Sequence, residues 1–288
     1  VNATTGSSKQ LYRSDVKSRG LTAKTFAEVL VRRNDKKVAD VYDLSNATVL
    51  GKGACGSVRV VRRKIPATAG TTNVAGAEEM SIASSLFAMK TVQVDGMPGG
   101  RIEDLRREID VQVALDHPNI VRVYEYFEEV DAIHIIMEIC TGGALVSRMK
   151  RFRNGFPEEE AATLIEKILG AVLYCHSQGV IHRDIKLDNF IYTDKSDNAE
   201  LKMIDFGFAY EVQNGREGMF EQIGTPSYMA PELWSDTELE YDSSVDMWAI
   251  GVVAYMILSG TRPFHSGNQH EKARMIREDP VVFPSANW

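Results

Sequence analysis

Cysteine is scarce: the 288 residues hold three, Cys55, Cys140 and Cys175. An odd, widely spaced set makes neither a disulfide framework nor a zinc pattern, so a reducing compartment, the cytoplasm, is expected. Long hydrophobic runs are missing as well. The longest, Trp248 to Leu258, falls short of the ~20 residues a membrane-spanning helix needs. The first residues are polar and hold no signal-peptide core. Basic residues are not in surplus: 33 Lys and Arg stand against 40 Asp and Glu, for a net charge of -7. That balance argues against nucleic acid as a partner, because binding its phosphates rests on excess cation. No internal repeat and no Asp-x-Asp-x-Asp-Gly calcium loop occurs. Asn-Ala-Thr at Asn2 and Asn46 matches a glycosylation acceptor, a chance match in a reducing compartment.

What is present is an ordinary globular composition, 44% hydrophobic and 25% charged, long enough for one large or two modest domains. Residues 1–42 are polar and mixed in charge, with Phe26, Val29 and Leu30 at helical spacing, and read as an extension outside the main domain. Gly51, Gly53 and Gly56 then form Gly-x-Gly-x-x-Gly. Glycines let a backbone lie close over phosphates and present its N–H groups. A dinucleotide-binding turn of this pattern opens a helix, whereas here Val58, Val60 and Val61 alternate with Arg59, so a hairpin is expected. Pro66 to Ser85, rich in Ala, Thr, Gly and Ser, reads as a surface insertion between strands. A strand follows from Leu86 to Val94 with Lys90 in an apolar setting.

Arg101 to Leu115 spaces Ile102, Leu105, Ile109 and Val113 along one helix face. On periodicity alone, its Glu108 is a surface glutamate. Ile133 to Ile139 is an apolar strand. Pro157 to Gly179 is the clearest helix, with Pro at its start, acids in its first turn and Leu164, Ile165, Ile168, Leu169, Val172 and Leu173 as inner stripe. It leads into Val180 to Phe190, where Asp184, Lys186 and Asn189 bring a carboxylate, an ammonium and an amide oxygen together in one loop, followed by Asp205-Phe-Gly207. Phosphoryl transfer needs those parts: a carboxylate to orient a hydroxyl and take its proton, a cation for the moving phosphoryl, and oxygens to hold a metal.

These four blocks, in this order and spacing, resemble the Ser/Thr protein kinase family: the glycine loop, Ala88-Met-Lys90, His182-Arg-Asp184 with Asn189, and Asp205-Phe-Gly207. The resemblance implies an α+β, two-lobed fold, with a small β-rich lobe over residues 43–140 and a mainly helical large lobe over 141–288. It implies ATP and Mg2+ as cofactors and a protein as substrate. Asp184 would be the catalytic base, Lys186 the partner of the γ-phosphate, and Asn189 and Asp205 the Mg2+ ligands. Lys90 would grip the α- and β-phosphates and be held by Glu108. Thr225, in Gly224-Thr-Pro226, would bond Asp184 and Lys186. Leu50, Gly51, Lys52, Gly53, Gly56, Val58, Ala88, Met137, Glu138 and Cys140 would line the nucleotide site, with backbone groups of Glu138 and Cys140 meeting the base. Asp246 would hold the backbone of the catalytic loop.

Four departures stand out against that pattern. Gln112 replaces an aliphatic residue four positions past Glu108, where a buried, unpaired amide costs about 1–3 kcal/mol. Ala144 replaces an acid that contacts ribose and basic substrates; Asp188 is the acid that would take over that reading. No Ser or Thr lies between Gly207 and Gly224, and Glu221 stands where many relatives carry a phosphothreonine facing the catalytic-loop arginine, here Arg183. Activity without loop phosphorylation is therefore expected. Finally, the last large-lobe helices, including an arginine partner for Glu232, are expected beyond Trp288. Within the family, Asp116-His-Pro-Asn-Ile120, Glu221 and Gly224-Thr-Pro-Ser-Tyr228 look most like calcium-dependent protein kinases, whose calcium-binding module would also lie outside this chain. A catalytically weak pseudokinase serving as a scaffold, and a small-molecule phosphotransferase, share parts of the pattern.

Overall fold

A computed structural model describes residues 32–53, 56–64, 86–152, 154–212, 218–235, 240–285 and 288. The expected helix near Phe26, the insertion at 66–85 and Cys55 lie outside the described residues. In chain order the elements are β1 (Arg32–Arg33), α1 (Val38–Val41), β2 (Tyr42–Gly53), β3 (Gly56–Arg63), β4 (Leu86–Gln93), α2 (Gly99–Ala114), β5 (Val123–Glu128) and β6 (Ala132–Met137). Then come β7 (Gly143–Ala144), α3 (Leu145–Met149), α4 (Glu158–Ser177), β8 (Val180–Ile181), β9 (Phe190–Tyr192), β10 (Leu201–Met203), β11 (Tyr210–Glu211), α5 (Ser244–Ser259) and α6 (Gln269–Glu278).

The first half is a six-stranded sheet in the order β1-β5-β6-β4-β3-β2. β2 to β6 pair antiparallel, as hairpin strands of alternating burial do. Arg32–Arg33, inside the stretch read as an extension, pair parallel with Glu125 and Tyr126. Three contacts fix that segment. Asn34 Nδ2 donates to Glu125 Oε2 (2.7 Å), the Tyr42 hydroxyl donates to Glu125 Oε1 (2.6 Å), and the Val38 N–H donates to Glu129 Oε1 (2.9 Å). Glu125 is buried, so these donors meet a cost that a lone carboxylate would impose. α2 packs on the sheet through Leu105 and Ile109, while its Val111 joins the core of the helical half, and Arg106 on it pairs with Glu128.

The second half is helical. α4 and α5 form its centre, α4 burying Ala161, Leu164, Ile168, Ala171, Val172 and Cys175. The expected inner stripe is thus only partly right: Leu169 and Leu173 are exposed. α4 carries more leucine than one face can bury. Its buried face instead uses alanines, whose small side chains let a neighbouring helix approach closely. α5 is apolar nearly all round and ends at Gly260 in the left-handed region, φ 72°.

Two segments of the first half bond β10 of the second. Met203 on β10 accepts from Val121 N (2.9 Å) and donates to Asn119 O (2.7 Å). Next to it, Lys202 Nζ lies 2.8 Å from Glu138 Oε1, both side chains largely buried. Gly155, before α4, has φ 85°, and a Cβ there would stand 2.2 Å from Leu258 O. Gly155→Ala is therefore expected to lower the unfolding free energy by about 2–4 kcal/mol through backbone strain and overpacking. A shift of the urea midpoint at unchanged slope would measure it.

Candidate active site

The loop between β8 and β9 is held from below. Asp246, on the first turn of α5 and 1% exposed, accepts the backbone N–H of His182 at Oδ2 and of Arg183 at Oδ1, each at 2.8 Å. His176 Nε2 is 2.8 Å from the same Oδ2. Arg183 is forced to φ 64°, a conformation an L residue keeps only when its surroundings fix it. Beyond that bend Asp184 sits nearly sealed, its side chain 3% exposed.

Three predicted residues converge on it. Thr225 Oγ1 donates to Asp184 Oδ1 (2.7 Å), Lys186 Nζ donates to Asp184 Oδ2 (2.6 Å), and Lys186 Nζ also donates to Thr225 Oγ1 (3.1 Å). Asn189 Nδ2 donates to the Asp184 carbonyl (2.9 Å) and to Oδ2 (3.2 Å). Its amide oxygen carries no hydrogen bond among the described residues. A carboxylate locked at both oxygens keeps spare lone pairs in a fixed direction, which suits proton acceptance from a hydroxyl.

Lys90 and Glu108 meet at 3.1 Å, both largely buried, so Glu108 is an inward-facing residue and not the surface glutamate that periodicity suggests. Asp205 has φ 68°, and Phe206 after it is buried against His182 at 4.9 Å between ring centroids. A Cβ on Gly207 would stand 3.3 Å from Asp205 Oδ1 and 3.6 Å from Glu108 Oε2, so this turn lies directly beside α2. Gln112 is buried, as expected, but its amide is not among the sealed polar atoms left without a partner in the described residues.

Fit to a nucleotide with Mg2+ follows from donor chemistry. Among the described residues no three His, Cys, Asp or Glu side chains cluster as a self-sufficient metal site. Mg2+ asks for less: one or two protein oxygens, with phosphates and waters completing its octahedron. Asp205 and the unused oxygen of Asn189 meet that requirement. Val58, Ala88, Met137 and Cys140 share one apolar cluster with Ile191 and Ile204 from the second half. Ile191 and Ile204 were missed from sequence, although each flanks a predicted ligand on a short strand or just beyond one. The Glu138 N–H is used by Arg122 O (2.9 Å), while the Glu138 carbonyl and Cys140 N–H make no backbone bond among the described residues. The Cys140 thiol is pushed up to about 12 by burial, which makes it inert at neutral pH. β2 and β3 pair Lys52 with Ser57 and Gly53 with Gly56, so the glycine segment is a hairpin. Gly56 has φ 132°, and a Cβ there would lie 2.0 Å from Thr91 O. Gly51 and Leu50 are exposed.

Arg183 ties the loop to the segment after Phe206. Its Nε donates to Phe208 O (2.7 Å), and its Nη1 donates to Glu221 Oε2 (3.3 Å) and to the Tyr241 hydroxyl (3.2 Å). Tyr241 was not foreseen, because nothing in Glu240-Tyr-Asp242 marks a site. Asp188 is exposed beside the loop, and no partner for Glu232 occurs among the described residues.

A family profile described as protein kinase domain matches residues 70–285. The chain is 31% identical over 261 residues to calcium-dependent protein kinase 5 of Plasmodium falciparum (isolate 3D7), covering 91% of this chain and 41% of the relative. It is 36% identical over 187 residues to calcium-dependent protein kinase 5 of Plasmodium berghei (strain Anka), covering 65% and 32%. To calcium-dependent protein kinase 4 of Arabidopsis thaliana it is 40% identical over 187 residues, covering 65% and 36%. The chain thus spans 32% to 41% of the length of these curated relatives. No helix among the described residues is long and apolar enough to cross a membrane.

Burial lowers the pKa of His182, His134 and His117, Lys202 adding to the effect at His117. A histidine whose folded pKa lies below its unfolded value takes up its proton first in the unfolded chain, so stability is lost as pH falls through about 6.5. The unfolding free energy is expected to fall between pH 7 and pH 5, above the range where carboxylates titrate. Urea unfolding at the two pH values checks this; a flat profile would mean that these histidines protonate within the fold.

Proposed function

The chain belongs to the protein kinase family, and from that membership we propose that it transfers the γ-phosphate of ATP to a serine or threonine hydroxyl of a protein. The observation that carries this reading is the closed set around Asp184, in which Thr225, Lys186 and Asn189 each bond its carboxylate. Asp184 orients the acceptor hydroxyl and takes its proton as that oxygen bonds to phosphorus and the bond to the leaving ADP breaks. Lys186, already 2.6 Å from Asp184, supplies positive charge on the side where the phosphoryl moves. Lys90, steadied by Glu108, holds the α- and β-phosphates. Mg2+, held by Asn189 and Asp205, would neutralise charge on the phosphates. Val58, Ala88, Met137, Ile191 and Ile204 form the apolar walls for the base, and the Glu138 carbonyl and Cys140 N–H meet its polar edge.

Lysine at Lys186 and threonine at Thr225 favour Ser/Thr over tyrosine as acceptor. Glu221 already pairs with Arg183, which supports activity without phosphorylation of the segment Asp205 to Glu232. Calcium control, carried in the relatives' names, would not act through an Asp-x-Asp-x-Asp-Gly loop within these 288 residues, which hold none. The domain division proposed is a small lobe over 43–140 and a large lobe over 141–288, with residues 32–42 of the preceding extension packed on the sheet. Cys140 and Cys175, free and buried, agree with a cytoplasmic setting.

The direct test is phosphorylation of a basic Ser/Thr peptide with Mg·ATP, comparing the chain with Asp184→Asn. A loss of at least about 10²-fold in kcat is expected, with ATP binding retained. Binding without turnover by the unaltered chain would refute the assignment for these residues. Gln112 gives a second expectation. Gln112→Leu removes a buried amide from α2 and is expected to raise basal activity several-fold; an unchanged rate would show that the amide does not oppose the active arrangement.

A further inference from the structure

We propose that Tyr241 is a positioning residue, whose hydroxyl, more than the Glu221 carboxylate, locks Arg183 and the segment from Phe208 to Gly224 in the active arrangement. The inference rests on the reading above, that Glu221 serves where relatives carry a phosphate. Glu221 alone is a weak device. Its side chain is 71% exposed and 3.3 Å from Arg183. An exposed ion pair of that kind moves an equilibrium by no more than about fivefold.

Tyr241 is built differently. It is 6% exposed and packs with Ile181, Met219, Met229, Leu233 and Val245. Its N–H donates to Met219 O (3.0 Å), so its main chain already pairs with the segment. Its hydroxyl accepts from Arg183 Nη1 (3.2 Å) and donates to Glu221 O (2.8 Å). One oxygen thereby joins the catalytic-loop arginine to the segment's backbone, whatever the Glu221 side chain does. The lock then reaches the base by two routes. Arg183 Nε holds Phe208 O, just past the Asp205 turn. On the other side Gly224, at φ 123°, lies so close that a Cβ would be 2.9 Å from Arg183 O, and Thr225 after it bonds Asp184. Burial makes the hydroxyl's bond to Arg183 count: both side chains are largely removed from water, so a hydrogen bond to the charged group is poorly replaced by solvent.

The experiment measures kcat and KM for ATP of phosphatase-treated protein on the basic peptide, for the unaltered chain, Tyr241→Phe, Glu221→Gln, Arg183→Ala and the Arg183→Ala/Tyr241→Phe pair. Tyr241→Phe keeps the ring and is expected to lower kcat about tenfold with KM for ATP changed less than about twofold. Glu221→Gln is expected to lose less than about threefold. Because Tyr241 acts through Arg183, the pair is expected to match Arg183→Ala alone, whereas a merely structural loss would add to it. Tyr241→Phe within about twofold of the unaltered chain, or additive losses in the pair, would overturn the assignment. If Tyr241→Phe does not fold, Glu221→Gln decides: a loss equal to that of Arg183→Ala makes Glu221 the lock and refutes Tyr241. Loss of activity on phosphatase treatment of the unaltered chain sinks the underlying reading, and Tyr241 with it.

Discussion

One buried carboxylate carries the rest. Asp246, almost wholly removed from water, is tolerable there only because three donors meet it: two consecutive backbone N–H groups of the catalytic loop and His176 from α4. Those bonds offset the cost of the left-handed Arg183. On one side of that bend the guanidinium meets Phe208, Glu221 and Tyr241, and on the other the Asp184 carboxylate meets Thr225 and Lys186. Both sets of contacts are therefore consequences of one anchored turn. α5 supplies the anchor because it is apolar on nearly every side and so cannot shift without exposing its faces.

A second layer of order comes from pairing charges before a ligand arrives. Lys90 is held by Glu108, Lys186 by Asp184 and Thr225, and Arg183 by Glu221 and Tyr241. Each cation is thus held in place in advance, so that little side-chain entropy would remain to be lost on meeting an anion such as a phosphate. α2 contributes twice, with Glu108 bonding Lys90 of β4 and Arg106 bonding Glu128 at the end of β5.

The grouping around Asp184 was legible in the sequence because it is local. Asp184, Lys186 and Asn189 fall within one loop, and Asp205, Phe206 and Gly207 within one turn, so spacing alone puts them together. Long-range partners were legible only through resemblance: periodicity left Glu108 on the surface, and nothing but the fold brings it to Lys90. What stayed hidden had no pattern to show. Arg32–Arg33 form a strand of two charged residues, with no alternation to mark it. Leu169 and Leu173 satisfy helical periodicity yet face solvent, because hydrophobic spacing names a stripe without naming its neighbour. Tyr241 acts through one hydroxyl across a gap of many residues in sequence.

The two contacts of β10 with the first half also bear on how the molecule could bend. One is made by the backbone bonds of Met203 to Asn119 and Val121, the other by the Lys202–Glu138 pair, and both come from adjacent residues of β10. Sliding one half past the other would have to break these bonds, whereas rotation about β10 would keep them. The turn at Asp205 is tied to the same short strand, and Ile204 between them packs with Val58, Ala88 and Met137 of the sheet.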